Sequence, residues 1–502
     1  MTLALSRRGF VAAGLASGAA LWLPSFGRAA SPAMTLAAAT RTIDVKGRAA
    51  TVYGIVNAQG GQGLTLLPGE RFAVEVTNEI DEPTLIHWHG QIPPNVQDGV
   101  PDFPLPALKV GESRAYDYEA APGTYWMHAH IPMQEMALLA APLIVRSAED
   151  VAADRQEVTL FLHDFSFKSP AELMAGLGVD VGGGGVMGGM AGMDHGSMGG
   201  SAGGAMAGMS GMSGMSGGGA MAGMDHGTMG PDGMVMDLND IEFDAYLAND
   251  RTLDDPEVVA VEKGGKVLLR VINGASATAF WIDLGAVKGR LVAVDGHAVQ
   301  PVEGSRFPLA MGQRADIELT MPGDGAAVPV LALREGAAQR TGLVLAPAGA
   351  RVAKIAGEGE ASAPVDLALE MALRAAAPLA DRPVDVSRMM MLNGTMSPYI
   401  WTIDGAVFAD RKPVDVKSGQ RVEIMFHNMS MMSHPMHLHG HVFQVVDING
   451  QRISGARRDT VLVPPMAAVT VAFDAGEAAE WMLHCHHMPH LQTGMMTTVK
   501  VS

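Results

Sequence analysis

Hydrophobic and polar residues alternate in three similar stretches of the chain. They read GERFAVEVTN, GGKVLLRVIN and SGQRVEIMFHN, and they end at Asn78, Asn273 and Asn428. An apolar residue at every second position is typical of a strand with one buried face, and the closing Asn is typical of a turn. Helical periodicity is confined to short segments such as residues 171–177. The pattern therefore predicts an all-β protein.

Each of the three stretches precedes a tetrad at the same spacing. Nine residues after each Asn stand His87, Ile282 and His437, within HWHG, IDLG and HLHG. A second motif, WMHAH in the first copy and WMLHCH in the last, is absent from the middle copy. The repeat predicts three related β-sandwich domains, the middle one a spacer without the histidines. We place the domains at residues 34–147, 155–348 and 365–502.

Four H-x-H pairs stand in the first and last copies. Residues i and i+2 of a strand point to the same face, so each pair offers two imidazoles together. Eight imidazoles exceed the four ligands of a structural zinc site and suit a cluster of several metal ions. We predict this cluster where the first and third domains meet. The pairs are His87/His89, His128/His130, His437/His439 and His484/His486.

The single cysteine, Cys485, stands between two of these histidines, so its side chain points to the opposite face of the strand. His490 and Met495 follow on a segment that we predict to be a loop, and His434 precedes the HLHG motif. Two imidazoles, one thiolate and a weak axial thioether form the blue-copper electron-transfer set. The pattern predicts a second, mononuclear copper site joined covalently to the cluster.

Residues 186–236 consist mostly of Gly, Met, Ser and Ala, with 13 methionines. This composition cannot form a packed core and predicts a disordered insert. Thioethers suit Cu(I), so we favour a role in binding additional copper over that of a plain flexible linker. The repeated units GMDHGSM and GMDHGTM add His195 and His226, which suit Cu(II).

Charge and the N-terminus narrow the class of protein. The formal net charge of −18, from 35 basic and 53 acidic residues, argues against a nucleic-acid partner. Arg7 and Arg8 stand directly before a small apolar run, which predicts a twin-arginine (Tat) export signal over residues 1–33 and a periplasmic location. An ordinary secretory signal or a single anchor is the alternative. No other stretch is long and apolar enough to span a bilayer, so no span is expected in the mature protein.

Together, HWHG, H-x-H, HPMHLHG and HCHHMPHLQTGM resemble the four copper-binding motifs of the multicopper oxidases. The Tat signal and the Met-rich segment resemble the bacterial periplasmic copper-resistance, laccase-like members. This resemblance covers nearly the whole mature chain. It implies three Greek-key cupredoxin domains, four copper ions and reduction of dioxygen to water.

The resemblance also implies ligand roles. His434, Cys485 and His490, with axial Met495, would bind a type 1 copper, while His87 and His437 would bind a type 2 copper. The remaining ligands would hold a type 3 copper pair. They are His89, His128, His130, His439, His484 and His486.

Three positions near these motifs bear on proton transfer and substrate. Asp98 matches a family carboxylate that relays protons or orients ligand water, although it could simply cap the turn before Gly99. Some relatives carry a second acid where this chain has Leu491. Close relatives that oxidise Cu(I) often carry an Asp where this chain has Ser430, beside Met431 and Met432, which could either receive Cu(I) or fill the core.

The sequence favours a monomeric multicopper oxidase that couples one-electron oxidation of Cu(I) to four-electron reduction of dioxygen, in copper tolerance. A laccase acting on a phenolic reductant is one alternative, which a Met-rich cover over the type 1 copper would disfavour. A periplasmic protein that sequesters copper without turnover is another. The complete ligand set argues against sequestration, because storage needs no electron route through a cysteine.

Overall fold

A computed structural model describes residues 34–181, 228–229, 235–236 and 238–502. The predicted export signal lies outside these residues. So does the predicted Met-rich insert, apart from two short strands that pair antiparallel, Thr228–Met229 and Val235–Met236. No helix among the described residues has the length and apolar character needed to cross a membrane.

The first sandwich packs two four-stranded sheets around a core that includes Phe72 and Trp88. One sheet contains, in neighbour order, Arg48–Asn57, Met34–Val45, Arg71–Asn78 and Ser113–Glu119. The other contains Leu64–Leu66, Ala140–Val145, Gly123–Ala129 and Ile86–His89.

The second sandwich has the same plan with more strands, six in one sheet and five in the other. The larger sheet contains, in neighbour order, Ala245–Ala248, Gln156–Phe165, Lys266–Asn273, Arg314–Thr320, Gly289–Val294 and His297–Gly304. The smaller contains Val258–Val261, Arg340–Pro347, Val328–Arg334, Phe280–Asp283 and Arg306–Leu309.

The third sandwich pairs a seven-stranded sheet with a five-stranded one. The larger sheet contains Tyr399–Ile403, Val386–Met396, Arg421–Asn428, Ala468–Asp474, Phe443–Ile448 and Gln451–Arg452, with Arg457–Arg458 paired to Phe443–Ile448. The smaller contains Val414–Val416, Met496–Val501, Glu480–Cys485, His434–Leu438 and Thr460–Val463.

Helices of the described residues are short, which agrees with the prediction of an all-β chain. The α-helices are Pro132–Met136, Ala148–Ala152, Pro170–Gly176, Ala368–Ala372 and Met488–Gln492. The 3-10 helices are Asn95–Gln97 and Phe408–Asp410. Ser147 and Ser169 each begin a helix with a capping box, which satisfies backbone N–H groups at the first turn.

The three repeated asparagines play the same structural part in each sandwich. Asn78, Asn273 and Asn428 are buried, and each Oδ1 accepts from the N–H two residues on. Each Nδ2 donates to two carbonyl oxygens, one in the following turn and one about thirty residues later. The asparagine therefore ties its strand to the turn that leads to the next motif. The prediction of three related sandwiches is confirmed, while their exact limits stay a prediction.

Candidate metal centres

Strand pairing carries the four histidine pairs to one place between the first and third sandwiches. In the first, the strand with HWH pairs antiparallel with the strand of WMHA, which sets His87 opposite His128. In the third, the strand with HPMHL pairs with the strand of WMLHC, which sets His437 opposite His484. The second histidine of each pair projects from the same face.

Ring nitrogens of these eight buried imidazoles form three groups, two of which share His89. Within each group, one nitrogen per residue lies within 4.8 Å of the others. The groups are His87 with His89 and His437, His89 with His128 and His486, and His130 with His439 and His484. All eight histidines singled out in the sequence thus meet in one cluster.

Hydrogen bonds behind the rings show which nitrogens are bare. His87 Nδ1 lies 2.8 Å from the carbonyl oxygen of Asp98, and His437 Nδ1 lies 2.9 Å from that of Asp459. A carbonyl oxygen only accepts, so both Nδ1 atoms carry the proton and both Nε2 atoms are unprotonated. These two Nε2 atoms face each other at 3.5 Å. Two facing lone pairs cannot hydrogen-bond, but both can bind one cation.

The same arrangement recurs on the other side of the cluster. His439 Nδ1 donates to Asp98 Oδ2 over 2.8 Å, and His484 Nδ1 donates to the carbonyl oxygen of Cys485 over 3.0 Å. The Nε2 atoms of these two rings lie 3.0 Å apart, and His130 Nε2 is 3.4 Å from that of His484. Bare imidazole nitrogens that converge in this way fit copper ions.

Three buried carboxylates stand behind the imidazoles. Asp98 accepts from His439 through Oδ2, and its other oxygen, Oδ1, has no hydrogen-bond partner among the described residues. Glu135 lies 2.7 Å from His128 Nδ1, and Asp459 Oδ1 lies 3.0 Å from His89 Nε2. Carboxylates in this position fix the tautomer and orientation of a ligand ring. Of the three carboxylates, only Asp98 is predicted from the sequence.

Asp98 is placed by a tight turn of the backbone. Its own N–H ends the 3-10 helix Asn95–Gln97 by donating to Asn95 O, while its side chain turns toward His439. Gly99 follows with a φ of +86°, and a Cβ there would collide with the carbonyl oxygen of Ile86. Asp98 therefore serves both as the end of a turn and as the support of a histidine.

The middle sandwich is not merely a spacer, contrary to the prediction. Its Arg314 is fully buried and forms a bidentate ion pair with Asp459, with Nη1–Oδ1 and Nη2–Oδ2 distances of 2.8 and 2.5 Å. Arg314 also donates to the carbonyl oxygens of Thr124 and Gly312. An arginine of the second domain thus holds the carboxylate that contacts His89.

The cysteine site lies in the third sandwich, where its residues were expected to meet. Sγ of Cys485 is 3.7 Å from Nδ1 of His434 and 3.7 Å from Nδ1 of His490, and these two nitrogens are 3.1 Å apart. All three side chains are completely buried, as is Met495. The Cys485 N–H donates to the carbonyl oxygen of Met495, which returns this residue to the site.

His490 lies on the short helix Met488–Gln492, not on a loop as predicted. Pro489 in the first turn suits this start, because its fixed φ is helical and its missing N–H would have no partner there. Leu491, on the same helix, is buried in the third core. His490 itself is stacked between Trp401 and His487, with centroid distances of 3.9 and 3.8 Å.

Burial sets the charge state of these groups in the metal-free chain. It raises the pKa of the Cys485 thiol and lowers the pKa of His434 well below its ordinary value. It lowers the pKa of His490 to about 3. Desolvation disfavours every charged form here. The imidazoles are therefore neutral and able to act as ligands.

The outer nitrogens of the two type 1 candidates each have a polar neighbour. Ser430 Oγ lies 2.8 Å from His434 Nε2. Asp240 lies 3.7 Å from His490 Nε2 and 3.3 Å from His487 Nε2, and its carboxylate accepts a hydrogen bond from the hydroxyl of Tyr399. The Asp240 side chain is fully buried, and its histidine neighbours hold its pKa well below the usual range despite desolvation. The sequence does not predict this contact of Asp240, because Asp240 stands 250 positions before His490.

A cavity of about 1030 Å³ is lined by residues of the first two sandwiches and by one histidine of the cluster. Its lining includes His130 together with Gln134, Met133 and Met136.

Comparison with protein families agrees with this geometry. Three models described as multicopper oxidase match residues 37–150, 217–336 and 381–502, one for each sandwich. The chain belongs to the multicopper oxidase family and is a copper-dependent oxidoreductase.

Individual relatives match over almost their full length. Multicopper oxidase MmcO of Mycobacterium tuberculosis is 30% identical, over 98% of this chain and 96% of that protein. A copper resistance protein A homolog of Pseudomonas syringae pv. tomato is 25% identical, over 98% of each chain. Among solved structures, a multicopper oxidase from Pseudomonas thermotolerans matches with a TM-score of 0.64 and 21% identity, over 93% of this chain and 99% of that one.

Proposed function

We propose that this enzyme oxidises Cu(I) to Cu(II) with dioxygen, which it reduces to water, and that it does so in the periplasm after Tat export as part of copper tolerance. The relative named copper resistance protein A supports the biological role. The twin arginines of the N-terminus support the export route.

The proposed copper sites follow the geometry of the bare nitrogens. His434, Cys485 and His490, together with Met495, would hold the type 1 copper, and the facing Nε2 atoms of His87 and His437 would hold the type 2 copper. Type 3 ligands are His89, His128, His130, His439, His484 and His486. When bound, four copper ions supply the four electrons that dioxygen needs to become water.

The chain's own residues orient these ligands and carry protons. Asp98, Glu135 and Asp459 each fix one imidazole, so the ligand nitrogens are set before any metal binds. The free oxygen of Asp98, Oδ1, lies 3.5 Å from His87 Nδ1 and is positioned to take up and release a proton beside the cluster. Leu491 offers no second proton donor, so Asp98 is the carboxylate to which we assign proton relay, with Glu135 next in line.

We assign the preference for Cu(I) as substrate to Asp240. Its carboxylate lies 3.7 Å from the outer nitrogen of His490, and in the sequence it follows the last residue of the Met-rich segment by four positions. A buried anion there attracts a cation to the electron-accepting histidine, because charge interactions are strong where water is excluded. Thioethers of the segment suit Cu(I) on its way to this carboxylate.

The surroundings of the type 1 histidines suit a bulky phenol less well than they suit Cu(I). An aromatic donor needs contact with the edge of a type 1 histidine, yet the outer nitrogen of His434 faces Ser430 and that of His490 faces Asp240. Both histidines are fully buried. The arrangement therefore favours a small cation over a phenolic reductant.

Dioxygen uptake by fully copper-loaded enzyme tests this proposal, with chelated Cu(I) and a bulky phenol compared as reductants. Rapid uptake with Cu(I) and slow uptake with phenol is expected. Faster turnover of phenol would make the enzyme a laccase. A blue protein that consumes no dioxygen with either reductant would point to copper sequestration.

Asp240→Asn sharpens the test, because it removes the charge and keeps the shape. We expect kcat/KM for Cu(I) to fall by roughly 10–100-fold, the worth of a lost charged contact of about 1.4–2.7 kcal/mol. Phenol turnover and the blue absorption should be retained. Asp254→Asn is the matched control, since it removes one negative charge from an exposed turn of the same sandwich. Equal effects of the two substitutions on Cu(I) turnover would refute the role of Asp240.

A further inference from the structure

The outer face of the large sheet in the third sandwich carries three methionines and a histidine side by side. Strands Val386–Met396 and Arg421–Asn428 are parallel neighbours, with Met389 opposite Met425 and Met391 opposite His427. Met390 and Phe426, one position away on the two strands, point inward and are buried. Because strand faces alternate, the four side chains project together from the other face.

Sheet geometry brings their donor atoms within reach of one ion. Residues directly opposite on neighbouring strands are about 4.8 Å apart, and residues two positions along a strand are about 6.6 Å apart. Methionine has three rotatable side-chain bonds, so its sulfur can cover such distances. Three thioethers and one imidazole can therefore converge over the centre of the rectangle that the four residues form.

The four side chains have no evident structural role among the described residues. Met389 is 52% exposed, and the other three are half-buried. Within the described part of the chain, the imidazole of His427 makes no hydrogen bond or ion pair, and the three methionines are not among the side chains packed on the third core. On the neighbouring strand Ala468–Asp474, Thr470 of the same face is buried. The solvent-exposed area is therefore confined to the strands that carry the four side chains.

We propose that Met389, Met391, Met425 and His427 form a surface site for Cu(I), separate from the type 1 and cluster sites. Soft thioethers with one imidazole select Cu(I) over harder cations. The neighbouring acid on the same face, Glu423, is already paired with Arg452 over 2.7 Å and leaves the donor set neutral. Occupation of this site does not depend on turnover, so it stands or falls apart from the proposed cuprous oxidase activity.

Silver(I) is the probe of choice, because it shares the soft character of Cu(I) and passes no electron to the resident copper. Copper-loaded full-length enzyme is dialysed against Ag(I) with a competing chelator, and bound silver is counted. The variant in which Met389, Met391 and Met425 are all Leu should bind one Ag(I) fewer per chain than the wild type. The Met-rich segment is the same in both proteins and cancels.

Two further measurements keep the test decisive. His427→Gln should weaken this one silver site by at least the roughly 10–100-fold that loss of a partner behind a ligand costs. In carbon-13 methyl spectra of the wild type titrated with Ag(I), three methionine methyls that the triple variant lacks should shift together. Met396→Leu, which changes an exposed methionine on the same strand, is the matched control. Equal silver binding by the triple variant and the wild type, or equal loss in the control, would overturn the proposal.

Discussion

Arg314→Met removes a buried cation whose partner stands directly behind the histidine cluster. Arg314 is 0% exposed, and both terminal nitrogens of its guanidinium donate to the carboxylate of Asp459. Methionine fills a similar volume without the charge. The substitution therefore leaves Asp459 as a buried anion without its main partner. The position of His89 depends on the same Asp459 carboxylate.

The size of the effect follows from the burial of the pair. Removal of one partner from a buried ion pair costs about 3–5 kcal/mol, because the other charge remains without water or counterion. Asp295 also lies near Arg314, at 3.8 Å, but it keeps Arg458 as a partner at 3.1 Å, so the charge that loses its partner is that of Asp459. We expect the free energy of unfolding to fall by roughly 3–5 kcal/mol.

A double-mutant cycle in urea, on copper-free protein followed by tryptophan fluorescence, tests the cause. Asp459→Asn alone strands Arg314, whereas the double variant strands neither charge. If the ion pair dominates, the double variant should lose less stability than the sum of the two single variants. All three variants should retain less copper than the wild type, because His89 loses its support. A loss below about 1 kcal/mol in Arg314→Met, or strict additivity in the cycle, would refute this reasoning.

Three other outcomes are expected. Cys485→Ser should abolish the blue absorption and dioxygen uptake while type 2 copper remains visible by electron paramagnetic resonance. If the variant kept its blue absorption and its dioxygen uptake, the type 1 assignment would be ruled out. Burial raises the pKa of Glu335 from 4.5 to about 7, so the native state binds the extra proton between these values and stability falls as pH rises. Glu335→Gln should therefore be more stable than the wild type by about 3 kcal/mol near pH 8 and equal to it near pH 4.5, as read from urea midpoints. Copper loading should raise the thermal midpoint of the wild type, because metal binds the folded cluster and relieves facing lone pairs, and an unchanged midpoint would contradict that view.

The histidine and cysteine positions could be predicted because their information is local. A strand shows every second side chain on one face, so an H-x-H motif fixes a shared direction without knowledge of the fold. His87 and His437 also follow their asparagines at a constant spacing, which the equivalent hydrogen bonds of Asn78 and Asn428 explain. Register and repeat together were enough to place the cluster between the first and third sandwiches.

The supporting residues could not be predicted, because their contacts depend on tertiary packing. Asp459 and Glu135 are two of 53 acidic residues, and no motif around them differs from that of a surface carboxylate. A helix of five residues is too short to show a helical period, so the sequence predicts a loop at His490 where the structure has a helix.

The second domain illustrates why a missing motif says little about a missing role. Its copy of the tetrad reads IDLG, which removes every metal ligand from that position. Yet Arg314 of this domain fixes the carboxylate behind His89, and Asp240, between this domain's strands in the sequence, touches His490. Charged groups placed behind the ligands of both centres act through burial and orientation, and those properties require the third dimension. The second domain therefore supplies no histidine to either candidate metal centre, but it supplies charged side chains that contact the residues of both.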